Sequence, residues 1–234
     1  MSVDLSGATI AFDLDGTLVD SAPDLHRALN QVMAAEGLPP VTLEDMRRFI
    51  GQGARVLIMR ASAAHGIVHD DTKLDRLTEE FTAVYALDIA AHTRPFPGVE
   101  AALDKLTRLG ATLSVCTNKR TDLSIQLLDA VRLSHWFAAI VGADTVGRRK
   151  PHPDNFLTAV RLAGGNPAHA VMVGDSAADV GTARAAGAPV AIVSFGYTDT
   201  APELLGADAV FGHFDELPDL AVRLLKSDQP TPLR

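Results

Sequence analysis

Short runs of apolar and β-branched residues recur along the chain at Ala8–Leu14, Ala111–Thr117, Ala138–Val141, Ala170–Gly174 and Val190–Val193. Between the later runs lie segments of helical periodicity, Val99–Leu109, Asp122–Ala130, Asn155–Leu162 and Ala177–Ala186, each closed by Gly or a polar turn. Strands that alternate with helices pair in parallel, because parallel neighbours need a crossover connection, and such a sheet is covered on both faces. The expected fold is α/β, a doubly wound and mainly parallel sheet. With 47% hydrophobic residues among 234, the chain has enough apolar side chain for a sizeable core.

One stretch breaks the alternation. From Ala22 to Ala91 no strand pattern occurs, and apolar residues follow helical spacing instead: Leu25/Leu29/Val32/Met33, Met46/Phe49/Ile50, Val56/Leu57/Met59 and Leu74/Leu77/Phe81/Val84. Pro and Gly punctuate both ends, in Ser21-Ala-Pro23 and in Thr93-Arg-Pro-Phe-Pro-Gly98. The expected organisation is a core of residues 1–20 and 92–234 with an inserted helical domain over 21–91, the two crossings forming a hinge. The tail from Ser227 to Arg234 is expected to fray.

Charge and cysteine content narrow the function. The formal charge of −8, from 29 acidic against 21 Lys and Arg side chains, argues against a nucleic-acid binder with a basic face. Cys116, the only cysteine, reads as a small core residue. No basic-then-apolar leader precedes the first strand run, and no apolar run approaches the ~20 residues of a membrane span. The expectation is a cytoplasmic protein with no membrane partner. Oligomeric state is not encoded in any pattern of the sequence.

Ligands of open α/β sheets bind beyond the carboxyl ends of the strands. The first run ends in Asp13-Leu-Asp15-Gly16-Thr17, the second in Thr117-Asn118, and the fourth in Gly174-Asp175-Ser176 with Asp179 behind it, while Lys150-Pro151 precedes the fourth. Two acids two residues apart among apolar neighbours are poorly solvated unless a cation lies between them. Gly16 permits the sharp turn that aims backbone N–H groups at an anion. Asp13, Asp15 and Asp175 together suit a hard, oxygen-seeking cation such as Mg²⁺, which takes a few carboxylates, waters and a substrate phosphate. Asp179, in the first turn of the next helix, also complements the helix dipole.

These four segments, in this order and chain setting, resemble the motifs of the haloacid dehalogenase superfamily, and the helical insertion is similar to the small cap of one of its subclasses. The resemblance spans the whole core and implies a Rossmann-like sheet carrying an Mg²⁺-dependent phosphatase. Asp13 is then the nucleophile that forms an aspartyl-phosphate, and Asp15 protonates the leaving alkoxide and later activates water. Mg²⁺ is then held by Asp13, the backbone carbonyl of Asp15 and the carboxylate of Asp175. Thr117 and Asn118 hold the phosphoryl oxygens, and Lys150 supplies positive charge to nucleophile and phosphoryl group. Asp179 orients Lys150 or a metal-bound water, and Gly16 and Thr17 shape the turn.

Within the superfamily the chain resembles bacterial phosphoglycolate phosphatases, through residues 12–25, Ile50-Gly-Gln-Gly-Ala-Arg55, Phe195-Gly-Tyr197 and Gly212-His-Phe-Asp-Glu-Leu217. That narrower likeness implies 2-phosphoglycolate as the small phosphorylated partner. The loop Gly51–Gly53 would then face the site, with Arg55 clamping the substrate carboxylate. Phosphatase or phosphomutase action on sugar phosphates, and pyrophosphatase action, stay open, as does a catalytically silent protein that binds a phosphorylated metabolite.

Overall fold

The structure, a computed structural model, describes residues 4–227, so the expectation for the tail beyond Ser227 lies outside the described residues. Eight strands form in the order β1 Thr9–Phe12, β2 Val19–Asp20, β3 Arg94–Pro95, β4 Thr112–Cys116, β5 Ala139–Val141, β6 Ala170–Gly174, β7 Val190–Val193 and β8 Ala209–Phe211. Six of them make one sheet in the order β5-β4-β1-β6-β7-β8, every neighbour parallel. The strand at Ala209–Phe211 extends the sheet beyond the five expected from the sequence.

Among the described residues ten α-helices accompany the strands: α1 Ala22–Ala35, α2 Leu43–Phe49, α3 Ala54–Ala64, α4 Asp71–Leu87, α5 Val99–Arg108, α6 Thr121–Ala130, α7 Ala143–Val146, α8 Asp154–Leu162, α9 Ala177–Ala186 and α10 Leu217–Ser227. Helices α8 and α9 pack together on one face of the sheet, and α5 and α10 pack together against its strands elsewhere. The alternation of strand side chains serves both layers. Ile10, Phe12, Val171 and Val173 join the cluster that includes Leu103 and Leu220, whereas Ala11, Met172, Val190 and Ile192 join Phe156, Val160 and Ala183.

Helices α1 to α4 occupy the stretch that lacked a strand pattern, packed on one another around Leu29, Met33, Ile58 and Leu77. Thr42 and Asp70 cap α2 and α4 by accepting the N–H groups of Asp45 and Lys73. The two crossings between this unit and the sheet are paired: β2 and β3 form an antiparallel ribbon, Val19 opposite Pro95 and Asp20 opposite Arg94. Fully buried Asp24, at the start of α1, strengthens that pairing. Its Oδ2 accepts the N–H groups of His92 (2.9 Å) and Thr93 (2.7 Å) and the Thr93 hydroxyl (2.7 Å), so the outgoing chain holds the returning one.

Candidate active site

The sheet brings the acidic segments together because β4, β1 and β6 are adjacent and end at one edge. Asp13 follows β1, Thr117 follows β4 and Asp175 follows β6, and the ladder fixes their start: Asp13 N–H donates to Val173 O, and Thr117 N–H to Val141 O. Asp13, Asp175 and Asp179 are all buried, with carboxylate oxygens within 4.8 Å of one another. Lys150 enters this group from the loop before α8. Its ammonium lies 2.9 Å from Asp13 Oδ1 and 2.6 Å from Asp179 Oδ1, with 1% of the side chain exposed.

Each carboxylate has a distinct set of partners. Asp13 Oδ1 also accepts the Leu14 N–H at 2.7 Å, and Oδ2 accepts no protein hydrogen bond among the described residues. Asp175 accepts the Thr17 hydroxyl at 3.3 Å and the Tyr197 N–H at 2.6 Å. Asp179 Oδ2 takes the N–H groups of Asp175 and Ser176 and the Ser176 hydroxyl, a hydrogen-bonded start to α9 that leaves Oδ1 to Lys150. Asp179 Oδ1 thus contacts the Lys150 ammonium, one of the two partners the sequence left open for it. Gly16, at φ +85°, is required by crowding as well as by the turn: a Cβ there would run into Asp175 Oδ2 and the Tyr197 ring.

Burial pushes the Asp13 carboxyl up to about 6; Lys150 pulls the other way and Asp179 adds to the rise. Asp175 is raised as well, by burial and then by the charges of Asp179 and Asp13. Burial works against the charge on Lys150, but Asp13 and Asp179 outweigh it and hold the ammonium protonated. Cys116, fully buried beneath this group, is pushed up to about 12 by burial, consistent with an inert core thiol.

Asp15 stands apart. The sequence grouped its carboxylate with those of Asp13 and Asp175, whereas the structure gives the third place in the cluster to Asp179. The Asp15 side chain turns to Lys119, whose ammonium lies 2.9 Å from Oδ1 and 2.8 Å from Oδ2, and Oδ1 accepts the Ser21 hydroxyl at 2.5 Å. The Asp15–Val19 bridge that closes this turn uses the carbonyls of Leu14 and Val19 and leaves the Asp15 carbonyl out of it. Two acids two residues apart therefore each have their own lysine, Lys150 for Asp13 and Lys119 for Asp15.

The loop Gly51–Gly53 lies against the strand ends, as expected. Asn118 Nδ2 donates to Gly51 O at 2.9 Å and to Lys150 O at 3.3 Å, and Asn118 Oδ1 accepts the Lys150 N–H at 2.8 Å. The Asn118 side chain thus ties three loops together. Gly53, at φ +83°, keeps the loop close to the core, since a Cβ there would stand 3.2 Å from Asn118 O. Arg55 lines the neighbouring cavity, but its guanidinium is engaged by Asp71 (2.5 Å) and Asp75 (2.9 Å) of α4. That cavity, about 590 Å³, lies between the sheet edge and the insertion and is lined by Asp13, Asp15, Thr117 and Asn118 on one side and by Leu57, Phe81 and Tyr85 on the other.

Residues 10–193 match the family profile described as haloacid dehalogenase-like hydrolase. The chain belongs to this family. A phosphoglycolate phosphatase of Caulobacter vibrioides is 50% identical over 224 residues, 96% of this chain and 94% of that protein. One from Mesorhizobium japonicum is 45% identical over 224 residues, 95% of this chain and 99% of that protein. A crystal structure described as a predicted phosphoglycolate phosphatase from Haemophilus somnus 129PT has a TM-score of 0.85 at 28% identity, covering 94% of this chain and 99% of that one. As a haloacid dehalogenase-like hydrolase with these relatives, the protein is an enzyme, a phosphoric monoester hydrolase. No helix among the described residues is long and apolar enough to cross a membrane.

Three residues of this site had no assigned part in the sequence reading. Lys119 follows Thr117-Asn118 directly, and a basic residue at an acid-lined strand end was the signal available for it. Tyr197 sits in the Phe195-Gly-Tyr segment, and its backbone holds Asp175 while its hydroxyl bonds Asp20 and accepts the Ala22 N–H at 3.0 Å. Tyr85 is one of many apolar positions on α4, and helical spacing alone does not separate it from the core.

Proposed function

We propose that the protein hydrolyses 2-phosphoglycolate to glycolate and phosphate through an aspartyl-phosphate on Asp13. The observation that carries this reading is Asp13 itself: it lines the cavity with one oxygen fixed by Lys150 and the Leu14 N–H, and the other is without a protein hydrogen bond among the described residues. A carboxylate so held is oriented for in-line attack on phosphorus, and it splits one difficult displacement into two easier steps. Lys150, with the Thr117 hydroxyl and the Asn118 backbone N–H, stabilises charge developing on the phosphoryl oxygens. Asp15 transfers the proton to the departing glycolate oxygen and takes one from the attacking water. The insertion serves as a cap that excludes bulk water.

The buried donors fit Mg²⁺. Three carboxylates and one ammonium leave a net negative centre, its donors are all oxygen, and burial alone disfavours the ionised forms of Asp13 and Asp175. Asp13, the Asp15 carbonyl and Asp175 would hold the ion, and Asp179 is already committed to Lys150 and Ser176. When bound, Mg²⁺ supplies the positive charge that offsets repulsion between the Asp13 carboxylate and an anionic phosphate.

A pH dependence follows from the raised Asp13 carboxyl. Its folded-state value, about 6, exceeds the ordinary carboxylate value, so the proton's contribution to stability is present below that ordinary value and is lost as pH rises through about 6. Metal binding opposes this loss, because the ion takes the deprotonated form. Thermal melts with EDTA and with Mg²⁺ should therefore differ little near pH 5 and diverge above pH 6. A Mg²⁺-induced rise in melting temperature that is the same at both ends of this range would show that Asp13 is not a ligand.

Substrate identity is tested by comparing kcat/KM for 2-phosphoglycolate, small sugar phosphates and pyrophosphate. The expected order puts 2-phosphoglycolate first by at least tenfold. A sugar phosphate turned over more efficiently would replace this reading.

A further inference from the structure

Four basic side chains, Arg55, Lys119, Arg120 and Arg149, line the cavity. Three of them lie toward solvent and already have partners. Arg55 is held by Asp71 and Asp75, Arg120 is paired with Asp122 with 59% of its side chain exposed, and exposed Arg149 donates to Gln52 O at 3.2 Å. Lys119 also has a partner, Asp15, and differs from the arginines in its shelter. Its side chain is 6% exposed, it projects from the strand end that also carries Thr117, and its ammonium lies 4.7 Å from the centroid of the Tyr85 ring. A sheltered ammonium over an aromatic face interacts with an incoming anion more strongly than an exposed guanidinium does.

Tyr85 supplies a second, independent observation. It comes from α4 in the insertion, is 1% exposed, lines the same cavity, and its buried hydroxyl has no hydrogen-bond partner among the described residues. A buried hydroxyl without an acceptor is costly and uncommon, and a ligand acceptor would satisfy it.

We infer that the Lys119 ammonium and the Tyr85 hydroxyl form the subsite for the substrate's carboxylate, an inference that rests on the substrate reading above. Arg55, whose charge is already met by two carboxylates of its own unit, does not fill that place. The subsite spans both units, Lys119 from the sheet edge and Tyr85 from the insertion, so a carboxylate bound there holds the two together over the phosphoryl group. It also changes what Asp15 does. The Lys119 ammonium lies on both Asp15 oxygens, and a substrate carboxylate that shares the ammonium loosens its hold on those oxygens, which carry the proton at the leaving group. A neutral leaving group makes no such exchange, so this lysine selects substrates by charge at the reacting end.

The test compares 2-phosphoglycolate with 2-hydroxyethyl phosphate, which replaces the carboxylate by a neutral hydroxymethyl group at the same chain length. The readout is the ratio of their kcat/KM values in the full-length enzyme with Mg²⁺, for the wild type, Lys119→Met, Lys119→Arg and Tyr85→Phe. Because Lys119 also touches Asp15, both substrates lose rate in Lys119→Met, and only the ratio reports the subsite. The expected ratio falls tenfold or more in Lys119→Met, is largely kept in Lys119→Arg, and falls severalfold in Tyr85→Phe, which removes one oxygen and remains informative if the lysine variants fold poorly. A wild-type preference for 2-phosphoglycolate that survives both Lys119→Met and Tyr85→Phe overturns the subsite and leaves the substrate reading intact. A wild type with no preference overturns the substrate reading, and the subsite with it.

Discussion

Asp13→Asn is expected to abolish phosphate release, with a loss in kcat on the order of 10⁴ or more, because an amide is no nucleophile and removing the attacking group forfeits the covalent route. The same substitution should leave the fold intact. It removes one of three buried carboxylates crowded within 4.8 Å, and Lys150 keeps its 2.6 Å contact with Asp179. The metal-free variant should therefore melt at or above the wild-type temperature while the Mg²⁺-induced rise shrinks. Steady-state phosphate release and paired melts with and without Mg²⁺ check both parts. Inactivity accompanied by a large loss of stability would instead mark Asp13 as a structural residue.

Lys150→Met should have the opposite balance, losing stability as well as activity. Among the described residues the ammonium is the one cation in contact with both Asp13 and Asp179, and its side chain is 1% exposed. Breaking a buried ion pair from one side leaves uncompensated charge and costs about 3–5 kcal/mol. For a chain of this size that is a fall in melting temperature on the order of 10 °C. The fall should ease below pH 6, where Asp13 takes up a proton, and should be partly restored by Mg²⁺. Melts across pH 5 to 8 with EDTA and with Mg²⁺ measure this directly, and a pH-independent, metal-independent loss would contradict the electrostatic origin.

The contrast between the two lysines shows what a sequence can and cannot carry. The strands β1, β4, β5, β6 and β7 were legible because they lie in β-branched and apolar runs of four or more residues, and parallel pairing then puts the ends of β4, β1 and β6 side by side. The strand at Ala209–Phe211 is three residues long, and β2 and β3 have two each, too short for any periodicity to register. Helix α10 carries Leu217, Leu220, Ala221, Leu224 and Leu225 at helical spacing, so its signal was present in the chain.

Among site residues, Asp13, Asp175 and Lys150 could be placed together because their positions follow from strand order. The resemblance implied Lys150 beside Asp13 and Asp179, whereas nothing in the sequence pointed Lys119 to Asp15. Asp13 and Asp15 are two apart in sequence, yet the tight turn at Gly16 sends one carboxylate to the loop before α8 and the other to the end of β4. Arg55 shows the reverse case. Its loop lies against the core as expected, but the approach of α4, seen only in three dimensions, brings Asp71 and Asp75 onto its guanidinium.

The most direct test of the central claim is to identify the phosphorylated residue. Enzyme mixed with 2-phosphoglycolate and Mg²⁺ is quenched within milliseconds, reduced with borohydride, which converts an aspartyl-phosphate to homoserine, and mapped by peptide mass spectrometry. The expected result is homoserine at position 13 alone, absent when substrate or Mg²⁺ is omitted. Reduction at Asp15 or Asp175 instead, or no modified residue in an enzyme that releases phosphate under the same quench, would contradict it.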